Sequence, residues 1–67
     1  MTSGKIISEN IKKARAKLGL TQDDLAKKAD IKYTTLMKIE SGTVNKPSVQ
    51  TMAKIAKALN VSIEDLI

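Results

Sequence analysis

The sequence predicts an all-α fold, a compact bundle of five helices forming one domain over residues 1–67. Three observations predict it. Apolar residues recur at steps of three and four along most of the chain, which is the spacing of a single helix face. Strand-favouring runs and aromatic residues are scarce, Tyr33 being the only aromatic. Capping residues and glycines fall where the apolar stripes stop. A 67-residue chain lies near the lower size limit for folding without help. It has no cysteine for a disulfide, and with no histidine either it has no ordinary zinc site. Stability must therefore come from helix packing and capping, or from association.

Met1 to Gly4 is polar and short and reads as a frayed start. The first helix is expected over about 5–18, with Ile7, Ile11, Ala14 and Leu18 on its inner stripe and Lys12, Lys13 and Lys17 away from it. Gly19 ends it, and Leu20 dips into the core. The second helix is expected over 21–28, opened by Thr21 and Asp24 in a capping box. The third is expected over 32–41 and stopped by Gly42 in the left-handed region. On either side of a break near Asp30, the residues Leu25, Ala26, Ala29, Ile31, Leu36 and Ile39 can all face one inside. Ala26 is small where two helices crossing steeply leave little room. Asp30 stands where such corners usually carry glycine, and Asp tolerates a left-handed backbone better than most residues.

Left outside on the third helix are Lys32, Tyr33, Thr34, Thr35 and Lys38, a basic face rich in hydrogen-bonding groups. This is the pattern of a helix-turn-helix, whose second helix enters the major groove of DNA. Pro47 keeps the following loop, 42–48, from continuing the helix. A fourth helix is expected over 48–59 with Val49, Met52, Ile55, Ala56 and Leu59 inward, closed by Asn60. Ser62 and Asp65 repeat the capping box and predict a short fifth helix over 62–66.

Twelve Lys and Arg against seven Asp and Glu give a net charge of +5 and a pI near 9.7. That balance suits nucleic acid, an anionic membrane surface, or plain solubility. No stretch approaches a membrane span and the N-terminus has no signal-peptide core, so a cytoplasmic location is expected. Without His or Cys, catalysis would need Ser, Lys or carboxylates, and no convincing pair stands out. Asp23 with Asp24, and Glu64 with Asp65, are neighbours that point apart on a helix. There is no Gly-rich phosphate loop. The reading is a non-enzyme with no cofactor, no metal and no evident small-molecule substrate.

Four blocks carry a family resemblance over roughly residues 6–66: LGLTQDDLA at Leu18 to Ala26, IESG at Ile39 to Gly42, KPS at Lys46 to Ser48, and IAKALNVSIEDL at Ile55 to Leu66. In order and spacing they resemble the DNA-binding domain of the Cro and C1 repressor family, also called the XRE family. The resemblance implies a lambda-repressor-like fold that binds double-stranded operator DNA, usually as a homodimer, to regulate transcription. It gives Lys32, Tyr33, Thr34 and Lys38 the base-reading positions. Lysine can donate to guanine, and threonine can touch a thymine methyl. For Tyr33 the alternative is a ring lying along a neighbouring helix.

The same resemblance gives phosphate contacts to Gln22, Thr43, Asn45 and Lys46, with Thr35 equally able to bond a phosphate. Gln22 is otherwise an exposed first-turn residue, and Thr43 part of an ordinary polar loop. Arg15, the only arginine, and Glu40 fall at the positions of a structural salt bridge joining the first helix to the third. Val61, Ile63, Leu66 and Ile67 either fold back as core or form a two-fold contact that sets half-sites about 34–36 Å apart. The alternative function is a helical protein-interaction module, such as an antitoxin-like partner binder.

Overall fold

Gly4 opens the first helix, α1 (Gly4–Lys17), and is itself buried, so it does not belong to the frayed start expected there, whose other residues, 1–3, lie outside the described residues. The computed structural model describes residues 4–43 and 47–67. Three further helices follow: α2 (Gln22–Ala29), α3 (Tyr33–Glu40) and α4 (Val49–Leu59). The expected fifth helix is instead a single 3-10 turn, Ile63–Asp65. Its capping box forms as predicted, but Leu66 already leaves the helix to enter the core. The bundle therefore has four α-helices and a terminal turn among the described residues.

The helix starts lie one residue later than expected at α2, α3 and α4 for a shared reason. Thr21, Lys32 and Ser48 are cap residues with extended backbone, outside the helices they introduce. Thr21 and Asp24 exchange both bonds of the capping box: the Asp24 N–H donates to Thr21 Oγ1 at 3.0 Å and the Thr21 N–H to Asp24 Oδ2 at 3.1 Å. The Thr21 backbone N–H, then its side chain, then the nearby Lys27 charge hold the Asp24 carboxyl below the ordinary carboxylate range. A carboxyl lowered by folding lends stability above its unfolded value and loses it as pH falls through the folded one. The melting-temperature gap between the natural protein and Asp24→Asn is therefore expected to narrow below about pH 4 in a thermal melt series.

α2 and α4 both end on a non-glycine residue in the left-handed region, Asp30 (φ 57°) and Asn60 (φ 59°). At the corner, Asp30 N–H reaches the Lys27 carbonyl at 3.2 Å and Ile31 N–H the Ala26 carbonyl at 3.0 Å. This turns the chain into α3 while satisfying the last carbonyls of α2. α3 packs against both α1 and α2, and α2 lies also against α4. The core is Ile7, Ile11, Leu25, Ala26, Ala29, Leu36, Ile39, Met52, Ile55, Ala56, Ala58, Leu59 and Leu66, with Ala14, Leu20, Ile31, Val61 and Ile63 packed around it.

Two residues assigned to inner stripes lie outside. Leu18 is 48 % exposed because α1 ends at Lys17 and the chain turns at Gly19 (φ +69°), so Leu20 takes the inner place. Val49 is 78 % exposed although it is in phase with Met52 and Ile55, because the first turn of α4 stands beyond the edge of the core. Of the four apolar residues assigned to a dimer contact, Leu66 is core at 1 % exposure and cannot offer surface to a second copy. Val61 and Ile63 are partly buried against the core, and Ile67 is 53 % exposed. Asn10 Nδ2 donates to the Leu66 carbonyl at 3.0 Å, tying this end of the chain to α1.

Candidate nucleic-acid interface

A helix of eight residues can keep a polar outer face only if its inner face is held firmly. Leu36 and Ile39 anchor α3 in the core at 0 and 1 % exposure. Glu40, in the last turn of α3, is 1 % exposed, a site where both burial and the helix dipole disfavour a negative charge. Arg15 of α1 offsets both. Its Nε donates to Glu40 Oε2 and its Nη2 to Glu40 Oε1, each at 3.1 Å, while Nη1 donates to the Leu20 carbonyl at 3.0 Å. Lysine could not form this fork. The buried Ser8 hydroxyl also donates to the Glu40 backbone carbonyl, so α1 holds both the side chain and the main chain of one residue.

Gln22, at the start of α2, completes the anchor. Its Nε2 donates to Glu40 Oε1 at 3.1 Å, and its Oε1 accepts from the Tyr33 hydroxyl at 3.4 Å. Tyr33 and Glu40 are seven residues apart, hence two turns apart on one face of α3, and Gln22 spans them. It braces α3 at both ends.

The four residues expected to read bases come together on the outside. Lys32, Tyr33, Thr34 and Lys38 are all exposed, whereas Thr35 is partly buried. Lys32 makes no capping bond with its side chain. Neither Lys32 nor Lys38 joins an ion pair among the described residues, and Glu40, the only acid on α3, is spoken for by Arg15. Tyr33 is 46 % exposed and touches Gln22 through its hydroxyl, so it is not buried along a neighbouring helix.

Beyond α3, Gly42 (φ +80°) turns the chain and Ser41 organises the first loop residues. Ser41 Oγ donates to the Lys38 carbonyl at 3.0 Å, which commits its only proton. Thr43 must therefore donate both its hydroxyl, at 2.8 Å, and its N–H, at 3.4 Å, to Ser41 Oγ. Asn45 and Lys46 lie outside the described residues. Three contributors were not singled out from the sequence. Ser8 and Ser41 act through hydrogen bonds that depend on tertiary or turn geometry, and Met37 lies partly buried beside the outer face. Of these only Ser41 left a local signal, a hydroxyl at the end of a predicted helix.

Two helices meeting at a left-handed corner, with the second held from beneath and polar outside, define a helix-turn-helix protein. The chain belongs to the helix-turn-helix family, whose model matches residues 11–66, and the likeness to the Cro and C1 repressors stands with it. It is 45 % identical over 56 residues to an uncharacterized HTH-type transcriptional regulator of Archaeoglobus fulgidus, covering 84 % of this chain and 79 % of that one. The crystal structure of SinR, a master regulator of biofilm formation, in complex with DNA superposes with a TM-score of 0.86 at 33 % identity, covering 90 % of this chain and 95 % of that one. The N-terminal DNA-binding domain of SinR from Bacillus subtilis gives a TM-score of 0.89 at 32 % identity, with 92 and 90 % covered.

Proposed function

We propose that this chain is a transcriptional regulator of the repressor type that binds double-stranded operator DNA and places α3 in the major groove. The observation that carries this reading is the division of α3: Leu36, Ile39 and Glu40 are buried, while Lys32, Tyr33, Thr34 and Lys38 are exposed, with no acid among them. The likeness to a regulator solved with DNA supports it. Gln22 keeps one Nε2 proton free of Glu40 for a phosphate, at a helix N-terminus whose dipole favours an anion. Thr35, Thr43, Asn45 and Lys46 retain proposed backbone contacts, Thr43 after releasing Ser41. We propose also that the protein works in the cytoplasm as a homodimer, with Ile67 and the open sides of Val61 and Ile63 at the contact. No helix among the described residues is long and apolar enough to cross a membrane.

Binding that neutralises about four phosphates should weaken roughly a hundred-fold between 50 and 200 mM salt, read by fluorescence anisotropy on a labelled duplex. Lys38→Ala is expected to cost about 1–3 kcal/mol on a selected site and to relax preference at one base pair. A loss of equal size on random duplexes would remove the base-reading role of Lys38. A partner-binding helical module would show no attraction to duplex DNA at any salt concentration.

A further inference from the structure

We infer that the Tyr33 hydroxyl reads DNA as a hydrogen-bond acceptor, selecting a base that presents an amino group, adenine or cytosine, at its position in the major groove. This rests on the DNA-binding role proposed above and adds the direction of one contact. The chain of polarity begins at Glu40. Its carboxylate, paired with Arg15, can only accept, so the Gln22 amide must turn its NH2 toward it, as the 3.1 Å contact from Nε2 to Oε1 shows. A flipped amide would set its oxygen against the carboxylate. With Nε2 fixed inward, the group that Gln22 presents to Tyr33 is Oε1, which also only accepts.

The Tyr33 hydroxyl has one proton, and Gln22 takes it. What remains for DNA are its lone pairs. In the major groove adenine N6 and cytosine N4 donate, whereas guanine O6 and N7 and thymine O4 accept. Phosphate oxygens accept as well, so while its proton lies on Gln22 the hydroxyl does not donate to the backbone. Tyr33 as a whole is 46 % exposed, so a ligand can reach it. A partly buried arginine on α1 thus fixes, through two intermediates, what a tyrosine on α3 can recognise.

The test selects sites from a random duplex pool with the unaltered protein. Affinities are then measured for all four bases at each position with that protein, with Tyr33→Phe and with Gln22→Ala. One position should favour adenine or cytosine on one strand by about 3- to 10-fold, the worth of a single net hydrogen bond. Tyr33→Phe should abolish that preference and leave the others intact. Gln22→Ala should free the hydroxyl to rotate and donate, so that guanine or thymine becomes tolerated there. The inference is overturned if Tyr33→Phe changes no base preference, if it weakens all sequences alike, or if the Tyr33-dependent position favours guanine or thymine. Failure of the unaltered protein to bind any duplex would instead overturn the DNA-binding role itself.

Discussion

Arg15→Ala is expected to lower stability by about 3 kcal/mol, the lower end for removing one partner of a buried ion pair. The carboxylate left behind is 1 % exposed, while the arginine side chain retains 20 % exposure. Glu40 would then sit buried at a helix C-terminus with only the Gln22 amide to hold it. In a 67-residue domain a single core seldom supplies more than about 3–5 kcal/mol, so most of the margin would go. A thermal melt followed by circular dichroism should fall on the order of 10–20 °C. Arg15→Lys should recover only part of this, because an ammonium cannot donate to both carboxylate oxygens and the Leu20 carbonyl in the fixed fork. An unchanged melting temperature in Arg15→Ala would show that the pair contributes nothing to holding α3.

Leu36→Ala is expected to cost about 3–5 kcal/mol, since a fully buried leucine would leave a cavity between α3 and its neighbours. Thr34→Ala, two residues earlier on the same helix, should stay within about 0.5 kcal/mol because its side chain faces solvent. Urea titration of the two variants separates the cases. If Thr34→Ala proved as damaging as Leu36→Ala, the assignment of inner and outer sides of α3 would be wrong.

Much of this arrangement was legible in the chain because it is written in local rules. The Thr21–Asp24 box depends on residues three apart, and the corner at Asp30 on a residue type that tolerates a left-handed backbone. The outer face of α3 follows from helical phase once Leu36 and Ile39 are set inside. Arg15 and Glu40 could be paired because one is the only arginine and the other an acid at a helix C-terminus, and because of the family likeness. What failed were end effects. Leu18 and Val49 obey the periodicity of their helices but lie where no neighbour remains to cover them. Leu66 is offered for a two-fold contact because four apolar residues cannot all hide on one short helix, and it proves to be the one of the four that is fully buried. The link from Gln22 to both Tyr33 and Glu40 left no sequence signal, since an amide finds its partners only when three helices have met.

The separation of sides within α3 also bears on how such a protein can change its target. The side chains that secure the helix are buried, and all but one of those proposed to read bases are exposed and do not touch the anchor. Exchanging Lys32, Thr34 or Lys38 should redirect the regulator to new addresses at little structural risk, much as a key is recut without altering its bow. Tyr33 is the exception, because its hydroxyl shares Gln22 with Glu40, and a swap there disturbs address and anchorage together.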